Sequence, residues 1–155
     1  MHYHHRQFSR PIVVSGIAMT AMLTFLFFYA GRDQPLVMAI FAAALALGIV
    51  VHYLLSSLTV EVSAHELSWY FGPGFWRKRI ARSAIAGVTR VRLPWWYGIG
   101  IKYTPHAWVY LVAPGDGIEV VSTNGEVVRI GTDDPDHLVA ALTKVTPVQS
   151  QSASR

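Results

Sequence analysis

Residues 12–30, IVVSGIAMTAMLTFLFFYA, and residues 36–55, LVMAIFAAALALGIVVHYLL, stand back to back near the start of the chain, and neither holds an Asp, Glu, Lys or Arg. The first run has nineteen residues and the second twenty. At about 1.5 Å of rise per residue, each makes roughly 28 to 30 Å of helix, the thickness of a bilayer's hydrocarbon core. The pair predicts a helical transmembrane hairpin over residues 11–57. Gly31-Arg32-Asp33-Gln34-Pro35 connects the runs. Gly31 suits the end of a first helix, and Pro35 the first turn of a second. Arg6 and Arg10 give the first run the basic front of a cleaved signal. Its apolar stretch exceeds the roughly 7 to 15 residues of a signal, however, and a second span follows at once, so an uncleaved hairpin is expected.

The flanks set an orientation. Residues 1–10 read as a tail carrying Arg6 and Arg10, the connector holds one Arg offset by Asp33, and the second run leads toward Arg77, Lys78 and Arg79. The excess of Lys and Arg on one side predicts both termini in the cytoplasm of a multi-pass inner-membrane protein. Within the spans, Ser15, Gly16, Thr20 and Thr24 share one face of the first helix, and Ala39, Ala42, Ala43, Ala46 and Gly48 make the second small-sided. Such faces let helices approach closely, within the hairpin or against another copy. No charge lies at mid-membrane, which argues against a proton relay or ion pathway. His52 falls in the last turn of the second span, where it is expected to snorkel toward the interface.

After residue 56 the helical period gives way to a period of two. Leu58, Val60 and Val62 alternate with Thr59, Glu61 and Ser63, and Leu67, Trp69 and Phe71 with Glu66, Ser68 and Tyr70. Both read as half-buried strands. Gly72-Pro73-Gly74 turns the chain into a third strand at 75–80, and further strands are expected at 88–93, 107–112, 118–121 and 126–130, the last pair joined at Asn124-Gly125. Asp134-Pro135 is a helix start, and Leu138, Ala141, Leu142 and Val145 form one apolar helical face. Residues 146–155 read as a disordered polar tail. The expected class is α+β: a two-helix hairpin, then seven antiparallel strands in a partly open barrel with a C-terminal capping helix.

The chain has no Cys, so it can form no disulfide and no Cys-based metal site or nucleophile. Its net charge of +4 is unevenly spread. Residues 77–102 hold seven basic residues and no acid, whereas residues 103–145 hold two basic residues and six acids. A basic half beside a membrane fits anionic headgroups or an acidic protein patch, and equally a solvated strand face.

Residues 58–145 resemble the bacterial pleckstrin-homology-like (PH-like) domains found on small membrane proteins. The resemblance rests on the strand–strand–Phe71-Gly72-Pro73-Gly74–strand opening, on Ile85-Ala86-Gly87-Val88, on Tyr97-Gly98-Ile99-Gly100-Ile101-Lys102, and on Arg129-Ile130-Gly131-Thr132-Asp133-Asp134-Pro135 before the helix. It implies a non-enzymatic scaffold without a cofactor. Eukaryotic PH domains bind phosphoinositides through basic residues around the loop between strands one and two. Here that loop is Ser63-Ala64-His65-Glu66, without Lys or Arg, so the resemblance does not extend to that site.

Pro94-Trp95-Trp96-Tyr97, in an acid-free stretch with Arg90, Arg92 and Lys102, is the first candidate site. Trp and Tyr favour the headgroup region, where a ring is apolar on one side and hydrated on the other. Three readings stand: docking on anionic lipid, a plug over one mouth of the barrel, and a protein-binding hot spot. Arg77-Lys78-Arg79 with Arg82 is the second candidate, either a patch for lipid or an acidic partner or an edge strand protected by charge. His2, His4 and His5 on a tail make no fixed metal site. Asp133, Asp134 and Asp136 read as a helix start. Gly98-Ile99-Gly100 is half of a dinucleotide fingerprint without its strand–helix context. No paired carboxylate or Ser–His–Asp arrangement is visible, and nucleic acid fits poorly. The sequence therefore predicts a membrane-anchored binding or scaffold module whose partners are membrane lipids, a membrane protein or a second copy. The alternative is an accessory subunit of a transporter or envelope-biogenesis complex.

Overall fold

Residues 3–30 and 34–143 are described by the computed structural model. His2, Gly31 to Asp33, Val145 and the tail at 146–155 lie outside the described residues.

The described residues begin with a strand where the sequence reads as a tail. β1 (Tyr3–Phe8) alternates half-buried Tyr3, His5 and Gln7 with exposed His4, Arg6 and Phe8. It leads through Ser9 into α1 (Arg10–Ala30). The Ser9 hydroxyl accepts the Ile12 N–H at 3.3 Å, capping the helix start, where the first N–H groups have no partner of their own. α2 (Pro35–Leu55) starts at Pro35, as expected, and ends one residue before β2 (Ser57–Val62). β1 and β2 pair antiparallel from Tyr3↔Val62 to Phe8↔Ser57. The Ser9 N–H then donates to the Ser56 carbonyl at 2.8 Å, one step beyond the ladder. The two bases of the hairpin are therefore joined side by side.

α1 and α2 are long and apolar enough to cross a membrane, and α2 buries none of its residues. Two such helices make one hairpin rather than a multi-pass bundle. Their contact is a pair of reciprocal notches. A Cβ on Gly16 would lie 2.6 Å from His52 Cδ2, and one on Gly48 would lie 2.4 Å from Met19 Cε. His52 does not snorkel: its ring fills the Gly16 notch and Nδ1 donates to the Gly48 carbonyl at 2.8 Å.

β3 (Glu66–Phe71) and β4 (Phe75–Ala81) complete a four-stranded sheet of order β1-β2-β3-β4. The turn between them docks on the hairpin. Gly72 sits at φ +54, donates its N–H to the Ser57 carbonyl at 2.9 Å, and has no room for a Cβ, which would fall 2.8 Å from the Leu54 carbonyl oxygen. A second sheet holds β5 (Ile85–Leu93), β6 (Gly100–Thr104), β7 (Ala107–Leu111), β8 (Gly115–Ser122) and β9 (Val127–Gly131) in the order β5-β8-β9-β7-β6. β7 and β9 run parallel. α3 (Pro135–Thr143) closes the described chain.

This arrangement corrects the expected single seven-stranded antiparallel barrel. β1 and β6 add two strands, and the two sheets do not close into one barrel. The single-turn helix Arg82–Ala84 redirects the chain, so that β5 pairs with β8 and not with β4. Arg82, read as part of a basic patch, fixes that corner. Its guanidinium donates to the Ser63 carbonyl at 3.1 Å and to the Ala141 and Leu142 carbonyls of α3 at 2.9 and 2.7 Å. It thereby serves carbonyls of the last helical turn that lack partners along the helix.

The core is the one the period of two predicts. Leu58, Val60, Val62, Leu67, Trp69 and Phe71 of the first sheet meet Tyr110, Ile118, Val120 and Ile130 of the second, with Leu138 and Leu142 of α3 between them. The helix start is also as read. The Asp134 carboxylate pairs with His137 Nδ1 at 2.6 Å and accepts from the Tyr3 hydroxyl at 3.3 Å. Burial, which alone would raise its pKa, is outweighed by these contacts, and the carboxyl sits below its ordinary range. His5 reaches Asp133, so β1 is fastened to the α3 turn as well as to β2.

Candidate lipid- or partner-contact surface

The first candidate is a single turn of 3-10 helix, Trp95–Tyr97, between β5 and β6. Pro94 enters it extended, and Gly98 leaves it at φ +64, a conformation costly for any side chain. The Tyr97 and Gly98 N–H groups bond back to the Pro94 and Trp95 carbonyls at 3.1 and 3.0 Å. A turn this tight cannot direct three consecutive rings alike. Trp95 and Trp96 are 75% and 67% exposed, their rings edge to face at 6.1 Å. Tyr97 turns inward against Leu93, Val109 and Leu111, a small cluster apart from the main core. Its hydroxyl accepts from Arg129 at 3.0 Å, and Arg129 is held by Glu119 at 2.7 Å. The hydrogen bond to Glu119 pushes the Arg129 pKa further up, against the opposing effect of burial. The aromatic run is thus both an exposed pair and a plug.

The basic residues divide as well. Arg90 is engaged by Asp136 at 3.0 Å and by Asp116 at 3.3 Å. Arg77 meets Glu61 at 3.4 Å and lies over the Tyr70 ring, 4.3 Å from its centre. Arg79 meets Glu66 at 3.9 Å. Among the described residues, Arg92, Lys102 and Lys78 have no carboxylate within 4.0 Å. Arg92 lines a shallow cavity of about 590 Å³ with Trp95, Trp96 and Pro114. Lys102 Nζ occupies the space over Gly98, 2.5 Å from where a Cβ would stand. Of the nine residues the sequence singled out, then, Trp95, Trp96, Arg92 and Lys102 gather at one turn. Arg77, Lys78 and Arg79 sit apart on β4, the edge strand of its sheet. Carboxylates on Arg77 and Arg79 fit the reading of a charge-protected edge.

The remaining candidates resolve into separate pairs. His4 Nε2 lies 3.7 Å from Glu61, whereas His5 points to Asp133 on the other face of β1. Asp133, Asp134 and Asp136 each hold a different partner.

A second aromatic group was not read from the sequence. Phe8 ends β1, Tyr53 stands in the last turn of α2, and Trp76 follows the turn docked on Leu54; all three are well exposed. Trp76 has φ +59, the one described non-Gly residue with positive φ, in a region strained for a bulky side chain. Aromatic rings at the bases of two apolar helices match the belts found at bilayer interfaces. Phe-Gly-Pro-Gly-Phe-Trp at 71–76 carried the available signal, an aromatic just past a turn. Comparison with known protein families, with curated proteins and with solved structures finds no match.

The split within the aromatic turn has a measurable consequence. Tyr97→Ala removes a packed ring and the partner of Arg129, and is expected to cost about 2 to 4 kcal/mol in thermal or denaturant unfolding of the detergent-solubilised protein. The double variant Trp95→Ala/Trp96→Ala is expected to stay within about 0.5 kcal/mol of the parent. Equal losses in both would contradict the division.

Proposed function

We propose that this chain is a membrane-anchored, non-enzymatic binding module of the PH-like type. In this reading α1 and α2 cross the bacterial inner membrane as one hairpin. The two-sheet domain stands at the cytoplasmic face, where Trp95, Trp96, Arg92 and Lys102 engage anionic lipid. The observation that carries the reading is the β1–β2 ladder. It ties the strand entering α1 to the strand leaving α2, leaves no linker at either helix base, and holds the domain against whatever surface the hairpin enters. The exposure of Phe8, Tyr53 and Trp76 near the helix bases supports the reading, since such rings favour the bilayer interface. Arg6 and Arg10 lie on the same side as the domain, the side the positive-inside rule assigns to the cytoplasm. The strand–strand–turn–strand opening and the C-terminal helix over two sheets support kinship with PH-like domains.

Ile99 and Ile101, just past the aromatic turn, line the same cleft as Val51 and Leu54 of α2. Unpaired cations near an anionic surface contribute about 1 kcal/mol each, which favours Arg92 and Lys102 over the ion-paired Arg90.

Topology is tested with single cysteines in this Cys-free chain. A membrane-impermeant maleimide is expected to label Gln34→Cys in cells whose outer membrane alone is opened, and Asn124→Cys only after the inner membrane is permeabilised. The reverse pattern would place the domain outside. The contact itself is tested by a photo-crosslinking residue in place of Trp96 in living cells. Lipid adducts are expected. A discrete heavier protein band would support the accessory-subunit reading, and no adduct of either kind would remove the turn as a contact surface.

A further inference from the structure

A cleft of about 840 Å³ opens between the two sheets, where the unpaired edges β4 and β6 fail to meet. Its volume falls within the roughly 300 to 1,000 Å³ of sites that hold small molecules. The floor is apolar, formed by Trp69, Phe71 and Tyr110 of the core. One wall is the last turn of α2, through Val51 and Leu54. Lys78 and Arg79 stand at the rim with one carboxylate, Glu126, and Arg79 is itself met by Glu66. Lys78 has no carboxylate of its own among the described residues. The indole N–H of Trp69 is buried in the floor without an acceptor, a costly state for a buried donor.

We propose that this cleft takes up an acyl chain of an anionic phospholipid, with the headgroup phosphate at Lys78. The inference rests on the reading that α2 crosses the membrane. The same side chains, Val51 and Leu54, belong to the spanning helix and to the cleft wall. An acyl chain can therefore pass from bilayer to cleft along continuous apolar surface without entering water. The rim then meets the lipid at the depth where its charge lies, and Lys78, which no carboxylate among the described residues engages, selects an anionic headgroup. A protein strand could in principle add to either free edge. β4 is poorly suited to that, since it carries three consecutive cations and has the positive-φ Trp76 as its second residue. This site is separate from the Trp95–Trp96 turn. It would make the domain a sensor of lipid identity rather than a surface adhesive.

The five tryptophans supply the probe. In a Trp95→Phe/Trp96→Phe background the remaining three, Trp69, Trp76 and Trp108, all line the cleft. The full chain is reconstituted into phosphatidylcholine nanodiscs containing either phosphatidylglycerol or phosphatidylcholine brominated at mid-chain, at equal share. Brominated phosphatidylglycerol is expected to quench the cleft tryptophans more strongly. Lys78→Gln, at an exposed and unpaired position, is expected to lower that preference about fivefold. Ile101→Phe, which narrows the cleft, is expected to reduce quenching by both lipids. Quenching that Ile101→Phe leaves unchanged would report ordinary bilayer contact and overturn the proposal. Insertion without quenching, the outcome if a protein strand fills the cleft, would also overturn it while leaving the anchor intact. Failure to enter nanodiscs would overturn the anchor and the cleft proposal together.

Discussion

Everything else in this molecule depends on the ladder between β1 and β2. An apolar hairpin joined to a soluble domain by a single strand would swing about that connection. Here the chain enters and leaves the hairpin through neighbouring strands of one sheet, paired over six residues on each side and extended by the Ser9–Ser56 hydrogen bond. Backbone hydrogen bonds of this kind contribute modestly one by one, about 1 kcal/mol net each, but together they fix direction. Gly72 adds a third tie by packing the β3–β4 turn onto Leu54. Tyr3 and His5 carry the constraint across to the N-terminal turn of α3. The domain consequently presents a defined face to the hairpin, and the cleft between its sheets opens where α2 ends.

The open gap between β4 and β6 follows from the same geometry. Arg82 turns the chain away from the first sheet and at the same time serves the last carbonyls of α3. That sends β5 to pair with β8, which leaves each sheet with a free edge. A closed barrel would have had no such edges and no such cleft. The residue that looked like part of a basic patch thus holds the corner between the two sheets and α3.

The hairpin and the main core were legible because their signals are local and periodic. Two charge-free runs of span length need no long-range information, and Leu58, Val60, Val62, Leu67, Trp69 and Phe71 alternate with polar neighbours on half-buried strands. β1 was illegible because its inward residues, Tyr3, His5 and Gln7, are not aliphatic; only its partner, 49 to 59 positions away, reveals it. β6 was hidden behind Gly98 and Gly100, with an inward face reduced to Ile101. The candidate site was half legible. Composition marked Trp95, Trp96 and Tyr97 together, yet Tyr97 is turned inward toward Arg129, thirty-two positions on. Arg90 looked free until Asp136, forty-six positions on, met it. Which aromatic is exposed and which cation is unpaired are long-range facts that no short window holds.

The most direct test of the account is a covalent one across the β1–β2 ladder. His4 and Glu61 face each other on its solvent side, their side chains 3.7 Å apart. Directly opposed antiparallel residues have Cα atoms about 4.5 to 5.5 Å apart, within the disulfide range. The native chain has no Cys to compete. Mild oxidation of the His4→Cys/Glu61→Cys variant in native membranes should give one internal disulfide, seen as a faster-migrating band that reductant reverses. A chain that stays reduced, or that links only to other copies, would mean that β1 does not pair with β2 and that the hairpin does not hold the domain in place.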